Sequence, residues 1–510
     1  MDNYLAKLYP IPSPHPPSAI SPKVYPGSTP ASTAALREVL QDNYKKWHVY
    51  IDDYGRHNHA THHMLALWSL GADENVIKAA YKSNCSYQKP AFRSPGPIDE
   101  SNFVEHLGDH AYYNAYMHFF YKVLQDHTVS EVLEKYLFSN EMNFPSQSDG
   151  KKNPQMLSRL LDAIVHPLIH IGYGLELNIP GMLVEGLASA AIHQTTSTKV
   201  INPELFNAAS QSIVVSTNLM QKLVLEDNPT AKAPKENIHA LKMMARMLAD
   251  SRLDNRVVSD PFAIYSKTME DVGLIIKSYV DEWTLDTTDP TMVPKKFEEL
   301  VWFFTIIYGI STWKGGDILH ADFFYMHLVT SSLFLPSVLP YLSPRSQVLL
   351  LRSYMMVCLT WWVGHGRQRP DIRGFFKADT AYSRPPGPQP APLVLTFPSP
   401  SSPSAITPNP WLPLLQSSIV HVDEHLPKLM RALAHYGALY GTRGAGDVEF
   451  INTGLEGAEC LDGTLFVRVA GLTAKWMGRI REGEKPALYK GDTYVVGRYW
   501  VFPDSDVQGH

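Results

Sequence analysis

The sequence predicts a mainly α-helical protein. Apolar residues recur at helical spacing to about residue 360, several helices carry start and stop signals, and one proline-rich stretch interrupts the pattern. The chain has 510 residues, of which 45% are hydrophobic and 19% charged, so it can bury a large core. We expect a large multi-helix domain with a Pro-rich connection and a short mixed C-terminal tail.

Changes in composition along the chain divide it into four predicted segments. The helical pattern begins near Ser32, one helix from about His59 to Leu70 ends at Gly71, and another from Gln155 to His166 precedes a proline. Prolines are frequent after residue 366 and helix returns near residue 410. The predicted segments are a Pro/Ser-rich arm (1–31), a helical catalytic domain (32–365), a Pro-rich connection (366–410), and a C-terminal helix and mixed tail packed on the same domain (411–510).

Composition and missing motifs exclude several function classes. The net charge is -5 and no Lys/Arg run stands out, so nothing points to nucleic acid. The three cysteines form neither a disulfide framework nor a CxxC knuckle, which favours a reducing, cytoplasmic location. The uncharged stretch Phe323 to Leu342 is interpreted as a core helix and not as a membrane span. The sequence contains no GxGxxG, GxxxxGK[ST] or GxSxG motif, so nothing supports a built-in flavin or nicotinamide site.

Histidines are the main functional signal. The chain has 21 of them, and three pairs have the spacing i, i+4, which stacks two imidazoles on one helical face: His59/His63, His166/His170 and His421/His425. Imidazole suits Fe, Zn, Cu and Ni, and two facing helices can supply four nitrogens to one ion. None of the pairs forms HExxH, so a zinc-protease site is not indicated.

Two further observations rank these histidines. His327 lies in an otherwise apolar helix, where a histidine must be hydrogen-bonded or ligating. We rank His421 and His425 below the other pairs, because Asp423 and Glu424 between them make that helix look more solvated. Core histidines satisfied by hydrogen bonds remain the alternative interpretation for each position.

Several segments resemble the questin oxidase-like family. They include HNHATHHMLALWSLGA at 57–72, HPLIHIGYGLELNIPGMLVEGLASAAIH at 166–193, DFFYMHLVTSSLF at 322–334 and HVDEHLPKLMRALAHYGALYG at 421–441. Members of this family serve fungal polyketide pathways and open the quinone ring of anthraquinones. The resemblance implies one of two chemistries: an NADPH-dependent Baeyer–Villiger oxidation, or a non-haem iron dioxygenase with a histidine-rich site and a carboxylated lysine.

The histidines favour the iron version, and the missing nucleotide motif counts against the flavin version. We therefore expect Fe(II), an anthraquinone and O2 as cofactor and reactants, with NADPH as an external reductant left open. A catalytically silent helical scaffold that binds an aromatic pigment is the alternative from another class.

The expected site residues follow from the histidine pattern and the resemblance. The expected metal ligands are His59, His63, His166, His170, His327 and a carboxylated Lys377. The resemblance is the reason for Lys377. The rival anions are Asp162, Glu176, Glu185, Asp317 and Asp322, of which Asp162, four residues before His166, is the strongest. The expected catalytic residues are His193 and Tyr173, and Phe324 and Trp68 are further candidates for an aromatic pocket.

Overall fold

The protein is mainly α-helical, as predicted. The structure is a computed structural model that describes residues 2–13, 15–145, 153–210, 237–254, 263–287, 289–378 and 408–478, with the single residues 394, 395, 397, 399, 402 and 500. In this part of the chain the extended pairings are three isolated bridges, Trp47–Pro90, Tyr50–His57 and Trp313–Leu319. The fold class is therefore confirmed.

The α-helices of the described residues are numbered in chain order. They are α1 Asp2–Leu8, α2 Pro30–Lys46, α3 Ala60–Ser69, α4 Glu74–Asn84, α5 Tyr113–Asp126, α6 Val129–Leu133, α7 Met156–Leu160, α8 Asp162–Glu176, α9 Pro180–Ile192, α10 203–210, α11 Ala240–Ala249, α12 Ile264–Val280, α13 Met292–Thr305, α14 Phe323–Ser332, α15 Leu335–Val338, α16 Pro344–Gly364, α17 Ile372–Lys377, α18 Trp411–Ile419, α19 His425–Tyr440, α20 Val448–Ile451 and α21 Leu465–Met477. Short 3-10 turns are Cys85–Tyr87, His110–Tyr112, Ser251–Leu253, Leu339–Tyr341 and Ala458–Cys460, and π-helical turns are Glu134–Phe138 and Ile306–Ile310.

One predicted helix is interrupted. The expected continuous helix from Gln155 to His166 is wrong, because Ala163, Ile164 and Val165 are left-handed, with φ values of 45°, 54° and 57°. Left-handed backbone costs about 1–2 kcal/mol per residue for L-amino acids. The helical spacing from Asp162 to His166 therefore does not hold, and the two side chains do not share a helical face.

The long apolar stretch is a core element. Phe323–Tyr341 has a mean hydropathy of 1.3 and 89% of the stretch is buried inside the protein. It is divided into α14, α15 and a 3-10 turn, since Pro336 and Pro340 cannot continue a helix's hydrogen bonding. Within the described ranges it is the one helical stretch long and apolar enough to cross a membrane.

The two ends of the chain are only partly as expected. The N-terminal arm contains α1, and Tyr9 after it is fully buried. The tail is helical as far as residue 478, so no strand forms between Gly454 and that point. The rest of the predicted mixed tail lies outside the described residues, apart from Trp500.

Four helices surround the site described next. Helix α3 packs against α8 and α19, and α14 packs against the same two, so the four form a closed ring. Gly172 permits the close packing between α8 and the end of α14, because a Cβ there would lie 2.3 Å from the Cβ of Phe334. The ring brings four helix N-termini together.

Candidate metal centre

Four histidines lie at or near the N-termini of the four ring helices. His59 precedes α3, His425 begins α19, His327 lies one turn into α14, and His166 follows the left-handed turn in α8. Their ring centroids are 5.0 Å apart for His59–His166, 5.2 Å for His166–His327, 5.3 Å for His327–His425 and 4.6 Å for His425–His59. The four imidazoles thus follow the same closed order as the helices. We call them the histidine ring.

Donor atoms of the histidine ring are close enough to share an ion. One nitrogen from each of His59, His166 and His327 lies within 4.8 Å of the others, and so do donor atoms of His59, Glu424 and His425. His166, His327 and His425 are buried, while the His59 side chain is 12% exposed. The structure therefore brings together three of the predicted ligands and adds His425 and Glu424.

The left-handed turn orients His166. Pro167 has no N–H, so it cannot donate the helical hydrogen bond to the carbonyl of Ala163. The Nδ1–H of His166 donates to that carbonyl instead, at 2.5 Å. This fixes the tautomer of His166 and leaves its Nε2 lone pair for a ligand.

His327 is oriented in the same way. Its Nδ1–H donates to the carbonyl of Phe323, four residues earlier, at 2.8 Å. The Nε2 lone pair is again left for a ligand. A backbone carbonyl behind a metal-binding imidazole is a common arrangement in metalloproteins, so this geometry fits a ligating histidine.

His59 and His166 face each other through their Nε2 atoms. The Nδ1 of His59 is 3.3 Å from a carboxylate oxygen of Glu424, and its Nε2 is 2.8 Å from the Nε2 of His166. With both Nδ1 atoms used as donors, two lone pairs meet at hydrogen-bonding distance, and they would have to share a proton or bind a common metal cation. Burial, together with the charges of Lys428 and neighbouring histidines, holds the pKa of both imidazoles well below the usual value. A metal cation therefore fits this donor set better than a proton.

His425 completes the ring. Its Nε2 has no hydrogen-bond partner within the described part of the chain, and its Nδ1 lies 3.5 Å from Asp423 and 3.7 Å from Glu424. The side chains of Asp423 and Glu424 are 1% and 2% exposed. The interpretation of this helix as solvated is wrong, because the two carboxylates are buried partners of the histidines. The sequence did contain a signal, since carboxylates next to two histidines can equally be buried and accept hydrogen bonds from their imidazoles.

His63 and His170 lie outside the group of close donor atoms. The Nδ1 of His63 is 3.1 Å from the side-chain amide of Asn84. The ring of His170 lies 4.1 Å from that of His62, and its Nδ1 is 3.7 Å from Glu185. His59 precedes its helix, so the i, i+3 residue His62, and not His63, turns towards the centre. Their predicted roles as ligands remain predictions.

His193 and Asp162 form a second buried group beside the ring. The Nε2 of His193 is 2.7 Å from the Nε2 of His57, and its Nδ1 is 3.2 Å from Asp162. Asp162 also accepts hydrogen bonds from Thr196 at 2.6 Å and from the backbone of Gln194 at 3.2 Å. The ring of His57 stacks on that of His166, with centroids 4.4 Å apart. The imidazole of His57 thus lies between His193 and the histidine ring.

Two lysines differ sharply in their surroundings. Lys377 ends α17 and is exposed. Lys428 lies one turn after His425, is buried, and lines a cavity with three residues of the histidine ring. Burial lowers the pKa of Lys428 to about 8, although Glu424 and Asp423 oppose the shift. A neutral amine is the form that reacts with CO2, so Lys428 is better suited than Lys377 to carboxylation.

The cavity is small and enclosed. It has room for about one water-sized molecule. The residues that line it are all buried: His62, His166, Ile169, Tyr173, His327, Thr330, Leu333, Phe334, His425 and Lys428.

Of the three aromatic residues predicted to line a pocket, one contacts this cavity and two lie elsewhere. Tyr173 lines it. Phe324 instead stacks on Trp361 with ring centroids 4.7 Å apart, and Trp68 donates to the hydroxyl of Thr33 at 3.1 Å. Phe324 and Trp68 are not among the cavity's lining residues.

Comparisons with known proteins identify the class. The questin oxidase-like family matches residues 56–433, which covers most of the chain and every residue of the histidine ring. The chain therefore belongs to the questin oxidase-like family and is an oxidoreductase.

Named relatives come from filamentous fungi. The chain is 24% identical to the Baeyer-Villiger oxidase ptaJ of Pestalotiopsis fici, over 65% of this chain and 69% of the relative. It is 25% identical to a questin oxidase of Aspergillus fumigatus, over 66% and 72%, and 23% identical to a questin oxidase of Aspergillus terreus, over 78% and 79%. The resemblance inferred from the sequence is confirmed.

Proposed function

We propose that this protein is an iron(II)-dependent oxygenase that opens the quinone ring of an anthraquinone-type substrate with O2. The observation that carries the proposal is the histidine ring, in which His166 and His327 donate Nδ1–H to backbone carbonyls and keep Nε2 as a lone pair. Such a set of neutral imidazoles suits Fe(II). The names of the family's oxidases supply the substrate class.

His59, His166, His327 and His425 would hold the metal. The bound ion would supply Lewis-acid stabilisation and bring O2 and substrate together. Glu424 would orient His59 through its Nδ1, and the backbone carbonyls of Ala163 and Phe323 would orient His166 and His327. Burial excludes water from these nitrogens, and it holds the pKa of His59, His166 and His327 well below the usual value, which favours the neutral, ligating form.

A buried ion with four neutral ligands favours an anion nearby. Lys428 carries that role better than the predicted Lys377, because it is buried at the cavity and Lys377 is exposed. Carboxylation would join its neutral Nζ to CO2 and release one proton, which converts a cation into an oxygen donor. Asp162 is already engaged by His193, Thr196 and Gln194. Glu424 is the carboxylate alternative, since its oxygen lies among the close donor atoms.

The electrostatics of the site suit a phenolate substrate. Four helix N-termini point their partial positive charges at the ring. A hydroxyanthraquinone that loses a phenolic proton presents an oxygen anion, which this potential attracts.

The oxygen balance separates the two chemistries left open. The ring-opened acid equals the quinone plus one oxygen atom and one water, or equally the two-electron-reduced hydroquinone plus O2. A dioxygenase would place both atoms of O2 in the product. A Baeyer–Villiger monooxygenase would place one atom there, reduce the other to water with NADPH, and take its second product oxygen from water.

The test combines metal analysis with oxygen labelling. Purified protein should contain close to one iron per chain, and the hydroquinone with 18O2 should give product carrying two labelled atoms without NADPH. With the anthraquinone itself as substrate, single labelling that depends on NADPH, with full activity after iron removal, would show the Baeyer–Villiger alternative. The exposed histidine variant His118→Ala is the control that keeps iron. A cytoplasmic location remains a prediction.

A further inference from the structure

The enclosed cavity lies about one helical turn from the histidine ring, towards the C-terminal ends of the four helices. Each ring histidine is followed three residues later on its helix by a residue that lines the cavity: His62 after His59, Ile169 after His166, Thr330 after His327 and Lys428 after His425. Three residues of α-helix rise about 4.5 Å. Tyr173 and Phe334, seven residues beyond His166 and His327, line the cavity as well.

This cavity is closed to an anthraquinone. It has room for about one water-sized molecule, while an anthraquinone has three fused rings. A carboxyl group on Lys428 or a diatomic gas is the scale of molecule that it accepts. The aromatic substrate must therefore approach the histidine ring from another side.

The half-buried edge of the site lies at the helix N-termini. Around the ring, His59, Ala163, Ile164 and Phe323 are half-buried, and none of these four lines the enclosed cavity. Ala163, Ile164 and Phe323 precede a ring histidine on its own helix, whereas the cavity residues follow one. Along these helices the half-buried edge therefore lies on the N-terminal side of the histidine ring, and the cavity lies on its C-terminal side.

Phe323 offers an aromatic surface at this edge. Its ring is 4.6 Å from that of His327 and 5.2 Å from that of His425, both in edge-to-face geometry. An aromatic ring that is already packed against two imidazoles is held in one orientation, which lowers the entropy cost of stacking a flat ligand.

Ile164 provides the second surface. It is a half-buried β-branched residue held at φ 54° and ψ 43°, two residues before His166. Left-handed backbone is costly for such a residue, and strain of this kind concentrates at functional sites. The side chain of Ile164 packs partly against the hydrophobic core and is partly exposed at the turn before His166.

We propose that Phe323 and Ile164 bind the aromatic substrate between them, over the outer side of the histidine ring, and that they set its specificity for flat polycyclic quinones. This inference rests on the proposed function and adds the side of approach and the residues that grip the substrate. A planar polycyclic phenolate matches two apolar surfaces beside four helix N-termini.

The test uses two neighbouring phenylalanines. In anaerobic titrations of the iron-loaded protein with a dihydroxyanthraquinone, Phe323→Leu should weaken binding by about fivefold or more, an effect of about 1 kcal/mol. Phe324→Leu is the matched control, because Phe324 stacks on Trp361, and it should bind like the wild type. Phe323→Tyr should bind the dihydroxyanthraquinone with wild-type affinity, since tyrosine keeps the aromatic side chain.

Steady-state measurements complete the test. Phe323→Leu and Ile164→Ala should raise the KM for the aromatic substrate and leave the iron content and the KM for O2 unchanged. The inference is overturned if both variants bind the anthraquinone as tightly as wild type, or if Phe324→Leu weakens binding equally. Failure of the proposed function has a different signature, namely wild-type turnover that is independent of iron and requires NADPH.

Discussion

Two groups of buried histidines lie side by side in this protein, and they use their nitrogens differently. In the histidine ring, His59 and His166 meet through two acceptor nitrogens at 2.8 Å. In the neighbouring group, His57 and His193 also meet at 2.7 Å, but His193 can donate Nδ1–H to Asp162 and accept from His57. The first contact needs a cation and the second is satisfied by ordinary hydrogen bonds.

The difference shows why burial alone does not identify a ligand. Both groups are buried and rich in imidazole, and His57 stacks directly on His166. What separates them is the second histidine of each pair. The Nδ1–H of His166 is donated to a backbone carbonyl, whereas the Nδ1 of His57 has no hydrogen-bond partner among the described residues, so His57 can carry its proton on Nε2 and donate it to His193. An imidazole whose Nδ1–H is donated to a carbonyl or carboxylate and whose Nε2 receives no hydrogen bond marks a metal ligand, whereas an Nε2 that accepts a hydrogen bond from a neighbouring imidazole marks a structural group.

The strongest test of the difference between the two groups is to replace one histidine in each and to measure the bound iron. We expect His166→Ala and His327→Ala to retain less than about a tenth of the wild-type iron and to lose turnover, since each removes a metal donor. His193→Ala should retain its iron, because its nitrogens are already satisfied. Elemental analysis of the purified variants measures the effect. Equal iron loss in His166→Ala and His193→Ala would abolish the distinction between the groups.

The second comparison concerns the two lysines. Lys428→Ala should lose most of the bound iron or of the turnover, whereas Lys377→Ala should keep both because Lys377 is exposed. Carbon-13 NMR of protein equilibrated with labelled bicarbonate should show a carbamate resonance that disappears in Lys428→Ala. A resonance that disappears only in Lys377→Ala would return the role to the residue predicted from the sequence.

A smaller effect is expected at Asp162. Asp162→Asn weakens charge-assisted hydrogen bonds to His193 and Thr196, so the free energy of unfolding should fall by about 1–3 kcal/mol while iron is retained. Asp126→Asn, exposed at the end of α5, is the control and should change stability by less than about 0.5 kcal/mol. Loss of iron in Asp162→Asn would show that this carboxylate belongs to the metal centre.

The sequence predicted the helical class, the family and three members of the histidine ring, because apolar periodicity and clustered histidines are local signals. It could not show that His62 and not His63 faces the centre, since that depends on His59 lying just before its helix. The proposed roles of Glu424 and Lys428 depend on packing between α3 and α19, which are far apart in sequence. Charged residues there were interpreted as solvated, and tertiary burial reverses that expectation.

The smallest predicted effect tests the strain next to His166. Ala163 is left-handed, at a cost of about 1–2 kcal/mol, and glycine adopts this backbone freely but loses more entropy on folding. Ala163→Gly should therefore raise the free energy of unfolding by about 0.5–1 kcal/mol.

Ala34→Gly is the matched control, at an exposed position in right-handed α2, where the same change should lower stability by about 1 kcal/mol. Denaturant titration of both variants measures the sign of each effect. Because the carbonyl of Ala163 orients His166, relief of strain should also loosen that imidazole and lower iron affinity modestly. Destabilisation of Ala163→Gly by as much as Ala34→Gly would mean that the turn before His166 stores no strain in solution.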